Sequence, residues 1–359
     1  WTRVRLSASP QHKSAGHLVG AFFVIIVEYF LNNINLNITD LHCDLLLYLA
    51  KAPGASILAT EDIGVTLPYL QKGNVKHQVL AIFATTGAES VHWGELQLQA
   101  YQDLLQQSPF FALTDSKQLD QPVKDQIGVT LAIENASILA TEEESLETAF
   151  ARLDNILNIG KRLFYITITH HTENRFGGGN YSTVGLKPDG EALLDYMAEK
   201  DIPVDLSHTS DAMAYDIINY IDKKRYDLAV IASHSNFRIL RNHSRNLPSE
   251  LVVEIVNRNG LIGANFLRLF LDGDQPSSLL EHIRYGLANA PKCMAFGADF
   301  FYRLGIPAPE RQPLFFPEYE DAGQYPKILQ QLNELGVTEQ ELKALAHGNA
   351  ERFIRTFWG

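Results

Sequence analysis

Cysteine and basic segments are scarce in this sequence, and each scarcity excludes a class of protein. The chain of 359 residues contains two cysteines, Cys43 and Cys293, which are too few for a disulfide framework. Both lie in apolar runs, so we expect buried free thiols. The formal net charge is −12, and no basic block interleaved with aromatic residues is present. This composition argues against a nucleic-acid partner.

The sequence also lacks an apolar run long enough to span a bilayer comfortably. The stretch at residues 18–31 is apolar apart from Glu28, but it is shorter than the roughly 20 residues that a spanning helix needs. No clear small-x-small cleavage site follows it, so an export signal and a packed strand or helix both stay open. We expect residues 1–37 to form an N-terminal extension and residues 38–359 to form a single domain. The sequence leaves the cellular compartment and membrane association open.

What the sequence does have is a repeated alternation of short apolar runs with amphipathic stretches. Near-continuous apolar strands that alternate with helices are typical of a parallel sheet covered on both faces. Eight such units predict a (β/α)₈ barrel of the TIM type rather than an open sheet. The strand candidates are NITDLHCD, HQVLAIFATT, QIGVTLAIEN, LFYITITHH, IPVDLSH, LAVIASHSN, GLIGANFL and CMAFGADF. Helix candidates such as SLETAFARLDNILN and DAMAYDIINYIDKK lie between them, and two or three closing helices are expected from Tyr325 onwards.

Potential metal ligands and acid–base groups lie near the carboxyl ends of these strands. In a (β/α)₈ barrel those ends meet at one mouth, where the following loops build the active site. Burying unpaired charges is costly, and a metal centre removes that cost. The residues are His42 and Asp44 on the first strand, Glu134 on the third, His170 and His171 on the fourth, His208 on the fifth, His234 on the sixth and Asp299 on the eighth.

The first strand supports a metal site but also has a simpler interpretation. Alternate side chains of a strand share a face, so His42 and Asp44 would point the same way and Cys43 the other way. Two coordinating groups that converge on one spot indicate a metal. In the alternative, Asp40 or Asp44 is only the N-cap of a helix that begins at LLLYLA, and His42 is merely nearby.

The types of ligand narrow the choice of metal. Imidazole together with carboxylate suits Zn²⁺, with Mn²⁺, Co²⁺ or Fe²⁺ as substitutes. Five of these residues are plausible ligands, which is too many for one tetrahedral ion with an open position but suits two ions that share a carboxylate. The five are His42, Asp44, Glu134, His208 and His234. Glu134 is the natural bridge, because its strand lies between the two groups of ligands. Two ions roughly 3.5–4 Å apart would hold a hydroxide between them and polarise a substrate carbonyl.

A set of motifs, taken in order, resembles the membrane (renal) dipeptidase family. These are zinc peptidases within the metal-dependent amidohydrolase superfamily. The motifs are DLHCD, IEN, ITITHHTEN, VDLSH, SHSN, RNLPSE, GADF and GNAERFIR. Each motif is weak by itself, whereas the ordered set is highly specific, and the resemblance runs from about Ile38 to the end of the chain.

The resemblance implies a role for each candidate metal ligand. His42 and Asp44 would hold the first zinc ion, and Glu134 would bridge the two ions. His208 and His234 would hold the second zinc ion.

The resemblance also implies the remaining site residues and the substrate. His170 would polarise the scissile carbonyl, which leaves its neighbour His171 as a bystander, although an exchange of these roles stays open. Arg245 would clamp the free carboxylate of a small peptide, a task that suits a planar, always-charged guanidinium. Asp299 would act as the acid–base group that moves a proton from the attacking water to the leaving amine. A homodimer is plausible on the same resemblance.

Two positions depart from the family pattern. Phe301 stands where the family usually has a second acidic residue on the last strand, although Asp299 is retained. Leu267 stands where an aromatic hydroxyl often follows strand seven, and Tyr302 is a candidate replacement for that hydroxyl. Both departures concern the walls of the substrate pocket and leave the metal ligands intact.

These departures keep other functions open beside zinc-dependent hydrolysis of dipeptides by a metal-bridging hydroxide. A related amidohydrolase acting on N-acyl amino acids or lactams is the main alternative. A non-catalytic barrel braced by metal is less favoured, because the sequence retains every candidate ligand and the candidate acid. A phosphotriesterase-like activity is also less favoured, since that branch commonly begins with His-x-His and this chain has His42 and Asp44.

Overall fold

The computed structural model describes residues 36–120, 125–303 and 312–358. Within these residues the strands form one parallel sheet. The strands are β1 (Ile38–Cys43), β2 (Val75–Phe83), β3 (Phe110–Ala112), β4 (Ile127–Glu134), β5 (Leu163–Thr167), β6 (Val204–Asp205), β7 (Val230–Ile231), β8 (Ile262–Ala264) and β9 (Met294–Phe296). All eight predicted strands are present. The additional strand β3 was not predicted, and it pairs with β4 outside the main strand order.

The eight predicted strands form a barrel that is nearly closed. Their order is β7-β6-β5-β4-β2-β1-β9-β8, and a single parallel bridge between Ala232 and Ile262 joins the two ends of this order. The longest ladder pairs β2 with β4, from His77 opposite Gly128 to Phe83 opposite Glu134. The predicted (β/α)₈ architecture is confirmed, and this ladder carries Glu134 to the mouth of the barrel.

Helices follow most strands and cover the barrel. Local capping marks the start of some of these helices: the Ser145 and Ser210 side chains accept hydrogen bonds from the backbone N–H groups of Thr148 and Met213, the usual arrangement at an N-cap. The helices are α1 (Leu45–Lys51), α2 (Leu67–Lys72), α3 (Ser90–Leu105), α4 (Leu146–Gly160), α5 (Pro188–Glu199), α6 (Asp211–Lys224), α7 (Ser249–Asn257), α8 (Ser277–Asn289), α9 (Tyr325–Glu334), α10 (Glu339–Lys343) and α11 (Asn349–Phe357).

The closing helices at the carboxyl end pack onto the barrel strands. Helix α10 begins with a capping box, in which Thr338 and Glu341 satisfy each other's backbone N–H groups. From α11 and the residue after it, the rings of Phe353 and Trp358 contact Phe164 of β5, with centroids 5.7 and 5.6 Å away. This aromatic cluster anchors the end of the chain to the barrel core.

The structure also bears on the expected burial of the two cysteines and on membrane-spanning segments. Cys43 and Cys293 are free and buried, as expected, and burial raises the pKa of the Cys43 thiol, which keeps it unreactive. No helix in the described part of the chain has the length and apolar content to cross a bilayer. The predicted extension at residues 1–37 lies outside the described residues except for its last two positions.

Candidate metal centre and substrate cavity

The carboxylate of Glu134, at the end of β4, lies between two groups of histidines. Its Oε2 atom lies 3.4 Å from Nε2 of His42. Its Oε1 atom lies 3.0 Å from Nε2 of His208 and 3.5 Å from Nε2 of His234. Among the described residues there are four groups of three possible ligands, and within each group the ligand atoms lie within 4.8 Å of one another. Together the four groups include all five predicted metal ligands. Side chains from β1 and β4 and from the segments after β6 and β7 therefore meet at one point.

An irregularity in β1 accompanies the placement of His42. The pairing of β1 with β2 shifts register between Asp40 and Cys43, and such irregularities often redirect a side chain at a barrel rim. The His42 imidazole is fully buried. Its Nδ1 lies 2.7 Å from the hydroxyl of Tyr165, while its Nε2 has no hydrogen-bond partner within the described residues. The free nitrogen is the one that faces Glu134.

Asp44 occupies the N-cap position of α1 but does not act as a cap. Its side chain makes no capping hydrogen bond, and its buried Oδ1 atom has no hydrogen-bond partner among the described residues. Asp44 belongs instead to a ligand group with His42 and Glu134. The simpler capping interpretation therefore does not account for this carboxylate.

His234, three residues beyond β7, is held in the same manner as His42. Its Nδ1 lies 2.7 Å from the hydroxyl of Ser233, and its buried Nε2 is without a hydrogen-bond partner in the described structure. The His42 and His234 rings stack with their centroids 3.8 Å apart. Both imidazoles thus turn a free Nε2 towards the same space.

His208 and Asp299 follow β6 and β9 in left-handed backbone conformations. Their φ angles are +64° and +65°, values that residues other than glycine seldom adopt and that cluster at functional sites. Oδ1 of Asp299 lies 3.6 Å from Nε2 of His42, and Oδ2 accepts a 2.9 Å hydrogen bond from Asn265. These conformations direct both side chains into the cluster.

Burial shifts the pKa values of the cluster towards the neutral forms. It raises the pKa of Glu134 to about 8 and that of Asp299 to about 7, and it also raises the pKa of Asp44. Burial, together with positive groups nearby, lowers the pKa values of His170, His208 and His234. A metal cation would offset this cost, because its charge favours ionised carboxylates and its coordination favours neutral imidazoles.

The donor set therefore fits a metal centre. Four of its buried atoms lack hydrogen-bond partners in the described residues: Nε2 of His42, Nε2 of His234, Nδ1 of His208 and Oδ1 of Asp44. Such orphaned atoms are rare in native proteins and call for an explanation such as a bound ion. His42, Asp44, Glu134, His208 and His234 would hold the ions.

The two adjacent histidines after β5 differ in their surroundings. His170 points its Nε2 towards Oε1 of Glu134 at 3.9 Å and contacts the ring of Phe83. His171 has its Nδ1 2.9 Å from Oδ1 of Asn180 and stacks on Tyr181. Both line the cavity described below. His170 thus lies between the carboxylate of Glu134 and the cavity.

Arg245 lies close to the cluster but is almost fully buried, with 3% exposure. Its guanidinium donates to the hydroxyl of Ser235 at 3.2 Å and to the carbonyl of His234 at 3.0 Å. Its Nε is unpartnered in the described structure, and its guanidinium lies over the ring of Phe270, 5.1 Å from the centroid. The positive charge acts on the cluster, since it opposes the rise in the pKa of Glu134.

A cavity of about 560 Å³ opens onto the cluster. Asp44, Glu134, His208 and Asp299 lie at its base, and Arg245 is not among the described residues that line it. The walls include the two departures from the family pattern, Phe301 and Leu267, together with Phe83, Phe270, Leu314, Tyr302, Arg241 and Arg268. The cavity is large enough for a small peptide, and Phe301 and Leu267 contribute apolar surface to its lining.

Comparison with known families identifies the group to which these features belong. The model of the membrane dipeptidase family (peptidase family M19) matches residues 33–357. The chain belongs to the membrane dipeptidase family. Membership of this metallopeptidase family implies metal ions, and the histidine and carboxylate cluster supplies suitable ligands.

Similar proteins include solved structures with the same fold. Dipeptidase AC, a metallo peptidase of family M19, aligns with a TM-score of 0.75 at 18% identity, over 90% of this chain and 99% of its own. A metallo peptidase from Rhodobacter sphaeroides, liganded with a phosphinate mimic of the dipeptide L-Ala-D-Ala, aligns with a TM-score of 0.74 at 17% identity, over 90% and 99%. At these identities the likeness establishes the barrel fold.

A curated relative matches over a shorter region. An uncharacterized dipeptidase of Schizosaccharomyces pombe is 24% identical over 205 residues, which is 54% of this chain and 46% of that protein. The matched region thus spans about half the length of that relative.

Several residues that shape the site were missed at the sequence level. Asp205 and Ser233 are polar residues inside strand-like runs, near His208 and His234, and this unusual placement could have flagged them. Tyr165, within the apolar run LFYIT, gives no such signal because a buried tyrosine is ordinary in a core.

Proposed function

We propose that this membrane dipeptidase family member hydrolyses dipeptides that carry a free carboxylate, with two zinc ions bound by His42, Asp44, Glu134, His208 and His234. Mn²⁺, Co²⁺ or Fe²⁺ could substitute for zinc, since the same ligands accept them. When bound, the ions would activate a water molecule and polarise the scissile carbonyl.

The position of the Glu134 carboxylate supports this proposal. The two oxygens of Glu134 face different histidines: Oε2 lies 3.4 Å from His42, and Oε1 lies 3.0 Å from His208. A carboxylate in this position can bridge two cations, with His42 on one side and His208 on the other. A single structural cation would not need ligands on both sides of the bridge.

Asp299 is the proposed acid–base group of the reaction. Asn265 holds its Oδ2 atom, which leaves Oδ1 facing the cluster. Burial raises its pKa to about 7, close to the value that favours proton transfer near neutrality. Bound cations would oppose this rise. Asp299 would accept a proton from the attacking water and return it to the amine that leaves.

His170 and Arg245 are the proposed substrate contacts. His170 borders the cavity next to Glu134 and would donate a hydrogen bond to the oxygen of the scissile carbonyl as negative charge develops there. Arg245 would bind the substrate carboxylate through its unpartnered Nε. Since Arg245 does not line the cavity in the described structure, this contact requires the Phe270 wall to shift when substrate binds.

Metal analysis combined with a dipeptide assay tests the proposal. Protein purified with zinc should contain two ions per chain and should hydrolyse dipeptides with free carboxylates. Chelation should abolish the activity, and added zinc should restore it. His208→Asn and Glu134→Gln should lower both metal content and turnover. Inactive protein that remains metal-free after zinc is supplied would overturn the proposal.

A second candidate function follows from the apolar wall of the cavity. Phe301 replaces an expected acidic residue, and both Phe301 and Leu267 line the cavity. An acyl group suits such a wall better than a charged amine does. A related amidohydrolase activity on N-acyl amino acids or lactams is therefore the alternative. Assays that compare dipeptides with their N-acetylated analogues distinguish the two functions.

A further inference from the structure

Two buried hydroxyl groups, each with a single hydrogen, determine the tautomers of His42 and His234. The hydroxyl of Tyr165 has one hydrogen, and it lies 3.0 Å from the carbonyl oxygen of Leu41. This carbonyl falls within the register shift of β1, between Asp40 and Cys43. If the hydroxyl donates to Leu41, it must accept from Nδ1 of His42, 2.7 Å away. The His42 proton then sits on Nδ1, and Nε2 keeps its lone pair.

Ser233 places His234 in the same tautomer. The Ser233 hydroxyl donates to Oδ2 of Asp205 at 2.5 Å, an oxygen that also accepts from Thr167. The single hydroxyl hydrogen is therefore used, and Nδ1 of His234 must donate to the Ser233 oxygen at 2.7 Å. Nε2 of His234 is again left with its lone pair.

Asp205 is itself held in one orientation. Its Oδ1 accepts from the backbone N–H groups of Ser207 and Ser233 at 3.0 and 2.8 Å. Its Oδ2 accepts from the hydroxyl of Thr167 at 2.6 Å as well as from Ser233. Asp205 is fully buried and is not a member of any of the possible ligand groups in the described residues. Its link to the ligand His234 runs through Ser233.

We propose that Asp205, acting through Ser233, and Tyr165 are positioning residues that fix His234 and His42 as Nδ1–H tautomers, so that each ring offers its Nε2 lone pair to a different metal ion. This inference rests on the proposed function for the assignment of the ions. Partners of this kind commonly fix the tautomer of a metal-binding histidine. Here Tyr165 contacts His42 and Ser233 contacts His234, and the side chains of Tyr165 and Ser233 also interact with each other.

Asp205→Asn gives the sharpest test because it preserves shape while it replaces an acceptor oxygen with a donor NH₂ group. The amide oxygen of the new side chain would stay with the two backbone N–H groups, which can only donate. The amide NH₂ would then face Ser233 and donate to the hydroxyl oxygen. The Ser233 hydrogen would turn to Nδ1 of His234 and force the proton onto Nε2. An analogous change at the aspartate of a serine-protease triad produces a wrong tautomer with intact geometry.

Histidine tautomers can be measured without any metal. Long-range ¹H–¹⁵N spectra of metal-free, ¹⁵N-histidine-labelled protein should show His42 and His234 as Nδ1–H tautomers. In Asp205→Asn, the His234 signals should change to the Nε2–H pattern, while those of His42 should stay the same. In Tyr165→Phe, only His42 should lose its defined tautomer.

Zinc titration against a competing chelator measures the consequence for each ion. Asp205→Asn and Ser233→Ala should weaken one binding step about 10–100-fold, and Tyr165→Phe should weaken the other step by a similar factor. In crystals grown with one equivalent of zinc, the retained ion should lie beside His42 in Asp205→Asn and beside His208 in Tyr165→Phe.

Matched controls separate positioning from the general loss of a buried hydroxyl. Tyr101→Phe removes a hydroxyl that is buried and has no partner in the described structure, and Ser278→Ala removes one that donates to the carbonyl of Gln275. Both should keep wild-type zinc affinities. Unchanged tautomers and affinities in Asp205→Asn and Tyr165→Phe would overturn the inference. A wild-type protein that binds no zinc would instead overturn the proposed function.

Discussion

The side-chain amide of Asn265 donates a 2.9 Å hydrogen bond to Oδ2 of Asp299. This bond fixes the carboxylate so that its other oxygen, Oδ1, lies 3.6 Å from Nε2 of His42. Asp299 is thereby oriented by a residue after β8 while it faces His42 at the end of β1. The arrangement suits a group that transfers a proton beside the metal ions without being one of their five proposed ligands.

Replacing Asp299 should separate catalysis from metal binding. Asp299→Asn is the better variant, because asparagine tolerates the left-handed backbone at this position more readily than alanine does. We expect kcat to fall roughly 10²–10⁴-fold, with metal content nearly unchanged. Dipeptide hydrolysis and metal analysis of the same preparation measure both effects. Asp103→Asn, on the exposed face of α3, provides a control, and undiminished turnover in Asp299→Asn would remove this residue from the mechanism.

The carboxylate clamp can be assigned by comparing two arginines. Arg245 is buried beside the cluster, whereas Arg241 is exposed and lines the cavity. If Arg245 binds the substrate carboxylate, Arg245→Lys should raise KM roughly 10- to 100-fold, as expected for the loss of hydrogen bonds to a charged group. Arg241→Lys should change KM much less. The opposite order would assign the carboxylate to Arg241, and a defect confined to kcat would argue against either clamp.

The apolar wall at Phe301 should govern the choice between amines and acyl groups. Phe301 packs against Phe315, with ring centroids 5.6 Å apart, and lines the cavity. Phe301→Asp should shift kcat/KM towards dipeptides and away from their N-acetyl analogues by about tenfold, because an acidic side chain attracts the free amine. Phe301→Leu keeps the wall apolar and should preserve the wild-type preference. Equal preferences in all three proteins would show that this wall does not select substrates.

Acid should destabilise the fold through a histidine remote from the metal ligands. Burial lowers the pKa of His77 to about 3, so its imidazole stays neutral in the folded protein while the unfolded chain takes up a proton below about pH 6.5. The stability contributed by neutral His77 is therefore lost as the pH falls. We expect this residue to account for about 2 kcal/mol of the decrease in unfolding free energy between pH 7 and pH 5.

Urea denaturation of metal-free protein at the two pH values measures this contribution. His77→Gln removes the titrating group, and its amide can still reach Thr130, which lies 2.9 Å from Nε2 of His77. The variant should lose less stability on acidification than the wild type does. Parallel pH dependences in the two proteins would show that His77 does not titrate differently on unfolding.

The sequence predicted the barrel well because each strand is an apolar run with clear limits. Helix α6 (Asp211–Lys224) matches the predicted segment DAMAYDIINYIDKK at both ends, where Ser210 provides a cap. Strand ends were less predictable. In IPVDLSH only Val204–Asp205 is a strand, because the backbone turns away before His208 and enters a left-handed conformation there. The chain thus leaves the strand conformation just before a site residue, although the strand-like sequence pattern continues.

The sequence suggested candidate metal ligands because histidine and carboxylate are unusual at the ends of apolar strands, and the structure brings these candidates together. The hydroxyl groups that contact His42 and His234 could not be predicted in this way. Tyr165 and His42 are 123 positions apart, and nothing local to either residue encodes their contact. The burial of Arg245 was equally hidden, since its packing against Phe270 depends on how two loops after β7 and β8 fold together.

The join between β7 and β8 is much shorter than the longest ladder of the barrel. β2 and β4 are held by a ladder of seven residue pairs, whereas Ala232 and Ile262 form the isolated bridge that completes the circle. Hydrogen exchange should therefore be faster at this seam than in the ladder between β2 and β4, because fewer backbone bonds must break for local opening. His234 lies two residues from Ala232, beside this seam. Asp44 follows β1 and Glu134 ends β4, and neither of these strands borders the seam. Occupancy of the metal centre should slow exchange there, so that bound ions would stabilise the closure of the barrel as well as the reaction.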